Sequence, residues 1–447
     1  MSFFVSTAIP YVNAAPHLGH ALELVQADVL ARQRRARGEK VRFLTGTDDN
    51  ALKNVTAARR AGVPVGAFVA ANGDRFAALK EPLGLSFDDF VRTSEERHRV
   101  KVAELWQRSA GDFYRRSYTG SYCLGCEQFK DSCDEHDAPL ETVREENWFF
   151  RLSRYEQRIL ALLEDGTVTV EPAARRNEVL AFVRAGLEDI SVSRPAARAG
   201  GWGIPVPGDP GQVIYVWWDA LANYLTADPA AWAGAGERVH VVGKGIVRFH
   251  AVHWLALLLA AGEPLPTTIL VHDYLTVSGA KLAKSAGNAV DPVELAATYG
   301  TDAVRWWLLR DVAPLGDTDF TVDRLIHRHD SDLAHGVGNL VHRTVTLAHR
   351  YGARSAFDQR HEQIGHDFRA LCLAVLDGVA RGNQLVEAER PWQLDEPRRT
   401  EVITELLRQC HSIVEQLTPL LPGAAERLRA QITFQDPPSP VFAKLRP

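Results

Sequence analysis

Three groups of residues carry side chains whose types and spacing suit chemistry. The first is Pro10-Tyr11-Val12-Asn13-Ala14-Ala15-Pro16-His17-Leu18-Gly19-His20, where two histidines flank a glycine as a loop enters a helical pattern. A helix N-terminus offers N–H donors and the positive end of a dipole, which suits phosphate. Gly19 removes a side chain that would block close approach, and His17 and His20 could donate to phosphoryl oxygens as charge develops. The second is Gly279-Ala280-Lys281-Leu282-Ala283-Lys284-Ser285-Ala286-Gly287-Asn288. Only nine lysines occur in the chain, and two of them bracket Leu282-Ala283 in a glycine-flanked loop. Two ammonium groups there suit neutralisation of a polyphosphate, the main demand of phosphoryl transfer. The third is Cys123-x2-Cys126-x6-Cys133-x2-His136, a spacing that fits a tetrahedral Zn²⁺. Taken singly, each has a plainer reading: a helix start with incidental histidines, a solvated basic turn, a remnant that binds no metal.

These groups need elements to hold them. FFVSTAIP reads as a buried strand, His20 to Arg35 as a helix, and VRFLTGT, Val41 to Thr47, as a second buried strand ending in an acidic loop. Strand–helix–strand alternation of this kind predicts a parallel α/β sheet. A Cys-rich and turn-rich segment between about Ser117 and Gly211 interrupts it and reads as an insertion. Sheet-like patterning resumes with VIYVWW, RVHVVG and TTILVHDYLTV, and from about Val322 amphipathic helices dominate. The expected parts are residues 1–116 and 211–265 as two halves of an α/β domain. Residues 117–210 form the connective insertion, 266–325 a linking segment with the lysine loop, and 326–447 a helical domain.

The 447 residues include 51 basic and 56 acidic side chains, a formal net charge of −5. With 46% hydrophobic residues the chain is too apolar to be disordered, and its mild acidity argues against a polyanion-coating protein. The longest apolar run, near Ala251 to Ala261, is shorter than a bilayer needs, so no membrane partner is expected. No signal peptide is visible at the N-terminus, and the five cysteines, odd in number with three clustered, suggest a reducing, cytoplasmic setting and a metal site.

The two phosphate motifs stand roughly 260 residues apart, in order, on an interrupted α/β pattern. This resembles the class I aminoacyl-tRNA synthetases, and most specifically the methionyl-tRNA synthetase family. His17-Leu18-Gly19-His20 is similar to the His-Ile-Gly-His signature, and Lys281-Leu282-Ala283-Lys284-Ser285 to Lys-Met-Ser-Lys-Ser. FLTGTDDN, YCLGCEQF, WGIPVPGDPGQVIYVWWDALANYL, VVGKGIVRFHAVHW and GNLVHRT extend the likeness over nearly the whole chain. The resemblance implies a doubly wound, Rossmann-like sheet split by a zinc knuckle, followed by a helical anticodon-binding-like domain. It implies ATP and Mg²⁺ as reactants, structural Zn²⁺ on Cys123, Cys126, Cys133 and His136, and contact of His17, Gly19, His20, Lys244, Lys281, Lys284 and Ser285 with ATP. A methionine pocket would be lined by Ile9, Tyr11, Trp217, Ala220, Tyr224, Ile246 and His250, with Asp48 pairing the substrate ammonium. A thioether favours such aromatic and aliphatic walls, which Trp217-Trp218 and Tyr224 on a buried strand would supply; core packing accounts for the same residues equally simply. Anticodon contact would fall on Asn339 and Arg343, one helical turn apart, and on Trp392 after Pro391.

The chain also departs from the pattern. The family's Asp-Glu-His-Gly is Asp48-Asp49-Asn50-Ala51 here, its Gly-Lys-Asp is Gly243-Lys244-Gly245, and Leu221 and Arg248 replace other residues. Arg248 is either a clamp for a substrate carboxylate or a surface residue. Three functions are therefore carried forward. The first is a methionine–tRNA ligase. The second is a hydrazine-synthetase-like biosynthetic enzyme that passes another activated amino acid to a small acceptor, with a separate cupin partner. The third is a non-catalytic tRNA-binding or regulatory protein.

Overall fold

A computed structural model describes residues 2–123, 128–129, 132, 139–282, 289–354 and 365–446. The chain divides into two compact units: Met1–Pro16, Lys40–Ala78 and Phe87–His272 in one, and His17–Glu39, Leu79–Ser86 and Asp273–Pro447 in the other.

The first unit is built on a sheet whose strands, in chain order, are β1 (Ser2–Thr7), β2 (Lys40–Thr47), β3 (Asp89–Arg92), β4 (Thr169–Glu171), β5 (Glu237–Gly243) and β6 (Thr268–His272). Their order across the sheet is β3-β2-β1-β5-β6-β4, and every neighbouring pair is parallel. Phe3 to Thr7 of β1 are all buried, as for a strand covered on both faces, which explains a continuous apolar run without alternation. Val5 lies in register between Phe43 of β2 and Val239 of β5. The strand order reverses between β1 and β5, so the carboxyl ends of β2, β1 and β5 flank a topological switch point, where sheets of this kind bind ligands.

Between β3 and β5 the same unit carries antiparallel sheets. Phe113–Cys123 pairs along its length with Glu141–Phe150, and Asp209–Ile214 pairs with Ser193–Pro195. The expectation that VIYVWW continues as strand is corrected. The strand stops at Ile214, and Val216–Leu221 is a helix that holds Trp217, Trp218 and Ala220. Trp218 turns into an aromatic core, its ring centroid 4.8 Å from Phe150 and 5.4 Å from Phe113. Packing decides the local conformation here, against the strand preference of a Val- and aromatic-rich run. The helical stretch Lys244–Ala261 is long and apolar enough by composition to span a bilayer, but 61% of it is buried inside the protein, as befits a core helix.

In the second unit the helix Leu18–Ala36 packs against Thr301–Arg310. A small sheet joins Leu275–Val277 to Ala280–Lys281 and to Thr318–Asp319. Helices follow at Asn339–Tyr351, Phe368–Glu389, Arg398–Leu417 and Pro422–Ile432, their apolar faces closing on one another through residues such as Leu340, Val345, Leu406, Ile413 and Leu428.

Candidate active site

In the second unit, His17 caps the helix Leu18–Ala36. Its Nδ1 accepts from the Gly19 N–H at 3.1 Å, while the His17 N–H donates to His20 Nδ1, also at 3.1 Å. Each imidazole thus uses Nδ1 as an acceptor, which places the ring proton on Nε2. The two rings stack with centroids 3.9 Å apart. Two Nε2–H donors are therefore carried together at a helix N-terminus, the polarity a phosphate oxygen needs. A Cβ at residue 19 would lie 3.0 Å from His17 Cε1 and 3.1 Å from its Nδ1, so the imidazole would have to give by a few tenths of an ångström.

The lysine loop belongs to the same unit. Ser278 and Gly279 both adopt positive φ, the turn that joins Leu275–Val277 to Ala280–Lys281. Asp319 ties that turn down, accepting from Thr276 Oγ1 at 2.8 Å and from the Gly279 N–H at 2.9 Å. The backbone of Lys281 pairs with Thr276. Lys284 and Ser285 lie outside the described residues. Where the description resumes, Val290 O accepts the Leu18 N–H at 2.9 Å. The chain leaving the lysine loop is thus joined to the first turn of the helix that His17 and His20 begin.

The predicted amino-acid residues lie in the first unit: Ile9, Tyr11 and Asp48 follow β1 and β2, Ile246 and His250 follow β5, and Trp217, Ala220 and Tyr224 lie on the helices Val216–Leu221 and Asn223–Thr226, where a strand was expected. Asp48 follows β2 and forms a parallel bridge with Tyr11, its N–H donating to Pro10 O at 2.9 Å. Its carboxylate is buried, and Oδ1 accepts from the Asn50 N–H at 3.0 Å and from Thr93 Oγ1 at 3.4 Å. Tyr11 lies 6.3 Å, centroid to centroid, from Trp217, which stacks face to face on Phe249 at 3.8 Å. Ala220 follows Trp217 one helical turn on, and Tyr224 one turn further, both buried. Tyr224 Oη and His250 Nε2 are 2.7 Å apart, and His250 Nδ1 is 2.9 Å from Ile246 O. The carbonyl can only accept, so His250 donates from Nδ1 and Tyr224 donates to Nε2. Burial lowers the His250 pKa to about 4, which leaves the imidazole neutral. Ile9 is half-buried on the exit from β1, and half-buried Lys244 begins the short turn after β5.

Several polar groups escaped the sequence reading. His240, in β5, has Nε2 accepting from Trp254 Nε1 at 3.1 Å and Nδ1 within 2.7 Å of Ser6 Oγ, behind Tyr224. His98 and Asp219 are fully buried beside Asn50. A lone Asp in the apolar run Val216–Leu221 was the available signal. His98 gave none, being one polar residue in an amphipathic helix. Arg248 is exposed, with its guanidinium 4.4 Å above the Phe182 ring, which favours the surface reading. A cleft of about 590 Å³ shares Phe249 with the aromatic wall and is lined elsewhere by Arg116, Tyr118, Arg194 and His253, with none of the predicted site residues.

Of the predicted zinc ligands, Cys123 is described: it is buried at the end of its strand and paired with Gln128. Cys126, Cys133 and His136 lie outside the described residues. In the helical region Asn339 is exposed, and the Arg343 guanidinium sits 5.2 Å from the ring of Trp392, itself 41% exposed. Arg343 and Trp392 are thus brought together, with Asn339 one turn from Arg343.

The family model for class I tRNA synthetases (M) matches residues 3–139 and 131–345. The chain is 37% identical to the methionine–tRNA ligase of Brucella suis, over 95% of this chain and 90% of that protein. It is 34% identical to the ligase of Thermotoga maritima, over 98% of this chain and 76% of that protein. Its structure is similar to Mycobacterium tuberculosis methionyl-tRNA synthetase in complex with methionyl-adenylate, with a TM-score of 0.88, 33% identity and 99% of both chains covered.

Proposed function

Because the chain belongs to the methionyl-tRNA synthetase family of class I, we propose that the residues described above carry out methionine activation. The enzyme is a ligase that activates its amino acid with ATP. A carboxylate oxygen of methionine attacks the α-phosphorus of ATP, the bond to the β-phosphate breaks, and methionyl-adenylate and pyrophosphate result. A hydroxyl of the terminal ribose of tRNA then takes the acyl group as an ester, the acyl–phosphate bond breaks, and AMP leaves. In this proposal Asp48 pairs with the substrate ammonium, while Ile9, Tyr11, Trp217, Ala220, Tyr224, Ile246 and His250 receive the side chain. His17 and His20 donate from Nε2 to phosphate oxygens, with Gly19 and Lys244 beside the nucleotide, and Lys281, Lys284 and Ser285 hold the departing pyrophosphate. No residue forms a covalent intermediate. Mg²⁺ enters with the nucleotide.

The observation that carries the reading is a buried carboxylate, Asp48, bridged to an aromatic wall, Tyr11–Trp217–Phe249, at the switch point of a parallel sheet. It gives an amino acid a place for its ammonium and a place for an apolar side chain. We further propose that Asn339, Arg343 and Trp392 meet the anticodon, Trp392 by stacking on an unpaired base. We likewise propose that Zn²⁺ closes the Cys123 knuckle and that the enzyme works in the cytoplasm. The relatives named above lend nothing to the biosynthetic reading with a cupin partner or to the non-catalytic one. Pyrophosphate exchange measured with each amino acid, with and without tRNA, tests the assignment. Methionine-dependent exchange together with charging is expected. Exchange with another amino acid, or none, would overturn it.

A further inference from the structure

We propose that Asp219, held by His98, is a positioning residue for ammonium recognition, acting through Asn50 on the carboxylate of Asp48. The inference rests on the assignment of Asp48 to the substrate ammonium.

The contacts form one buried chain within the first unit. The Asn50 N–H donates to Asp48 Oδ1 at 3.0 Å, and Asn50 Nδ2 donates to Asp219 Oδ2 at 2.7 Å and to Thr93 O at 3.1 Å. Both partners of that amide nitrogen are acceptors, so both of its hydrogens are committed and the amide cannot be turned over. Thr93 closes a small loop, since its hydroxyl also reaches Asp48 Oδ1. The other oxygen of Asp219 lies 2.8 Å from His98 Nε2. The Asp219 carboxylate can only accept, so His98 Nε2 bears the hydrogen of that contact. His98 Nδ1 is 2.9 Å from Thr226 Oγ1, so the imidazole is braced at both ends. His98, Asp219 and Asp48 are each at most 1% exposed.

A carboxylate is costly to bury, and Asp219 is buried with each oxygen satisfied by a side chain from a different segment. Two facts argue for a role beyond packing. The network ends on a carboxylate at the switch point, and position 50 departs from the histidine of the family pattern. A neutral imidazole has a single N–H and could not serve both Asp219 and the Thr93 carbonyl; an asparagine amide does. With Asp219 in place the Asn50 backbone N–H is held against Asp48 Oδ1, so the carboxylate is oriented before substrate arrives. Pre-organisation of this kind favours the ligand by cutting the cost of ordering the site.

The test compares methionine with its 2-hydroxy analogue, which lacks the ammonium, as competing ligands of the full-length enzyme in wild type, Asp219→Asn and Asn50→Ala. Both variants are expected to weaken methionine about tenfold while the hydroxy analogue changes by about twofold or less. The KM for ATP should hold. Loss of both ligands in proportion would show a merely structural role and overturn the proposal, as would unchanged methionine affinity. Should Asp219→Asn fail to fold, Asn50→Ala, which leaves the His98–Asp219 pair intact, decides alone. Asp48→Asn serves as the control: if it too preserves the preference for methionine, the assignment of Asp48 fails. If it abolishes the preference and the other two variants do not, only the positioning role fails.

Discussion

His17, proposed to meet a phosphate oxygen, has little freedom. Its Nδ1 is held by the Gly19 N–H, and the space beside its ring exists because residue 19 has no Cβ. Gly19→Ala would press a methyl group against that ring. Displacing a positioned group by a fraction of an ångström is expected to lower pyrophosphate exchange roughly 10- to 100-fold with little change in melting temperature; unchanged exchange would mean the imidazole moves aside without cost. Two buried histidines, His240 and His250, and the partly buried His253 give a second prediction. Burial lowers the pKa of His250 and of His253 to about 4, and that of His240 well below its ordinary value. Unfolded, each binds a proton near pH 6.5, so between about pH 6.5 and 4 the unfolded chain holds more protons than the folded one. Stability should be fullest above that window and fall as pH drops through it, with His250 alone contributing roughly 3 kcal/mol. Urea midpoints across pH 7 to 4.5 measure this, and a flat profile would contradict it. The sequence displayed the signature imidazoles openly, because Gly19 stood between them. It did not display His240 or His98, whose partners, Ser6 and Trp254 for one and Asp219 and Thr226 for the other, are distant in sequence.

Among the elements, β1 was readable because both faces of a central parallel strand are buried, which puts Phe3, Phe4 and Val5 in succession, and in β2 the buried stretch Phe43–Thr47 gave the same signal after a more exposed start. The same rule misled at Trp217-Trp218. There, aromatic composition suited a strand, but Trp218 is drawn onto Phe113 and Phe150 from a helix, a contact no local pattern announces. The helix Asn339–Tyr351 was legible from its amphipathic period, and its outer face gives a testable surface. Trp392→Ala removes the exposed ring over which Arg343 lies. Loss of one stacked base is expected to raise the KM for tRNA roughly tenfold or more while leaving pyrophosphate exchange intact. Equal loss in both assays would place Trp392 in the fold instead of the anticodon surface. Metal analysis addresses the knuckle: one zinc per chain is expected, lost in Cys123→Ser, and a metal-free wild type would contradict it.

The molecule as a whole must carry the helix that presents His17 and His20, and a single buried cation ties it into its unit. Arg305 is fully buried in the helix Thr301–Arg310. It pairs with Asp28 of the helix Leu18–Ala36 at 2.8 Å and donates to the carbonyls of Leu83, Pro419 and Leu420. Burial would push the Asp28 carboxyl up, but Arg305, Arg32 and Ser86 outweigh it and hold the pKa below the usual range. Arg305→Leu takes away the fully buried partner of that carboxylate, leaving Arg32 and Ser86, and should cost about 3 kcal/mol in urea unfolding, whereas a loss under about 1 kcal/mol would show the pair to be dispensable. Nothing in the sequence marked Arg305 among so many arginines, since its partners come from three separate stretches of chain.

The imidazoles of the first motif and the ammonium groups of the second are proposed to act on one triphosphate. Methionine-dependent pyrophosphate exchange by Lys284→Ala tests it most directly. A fall of about 100-fold, with circular dichroism and melting temperature unchanged, is predicted. Exchange close to that of the wild type would contradict it.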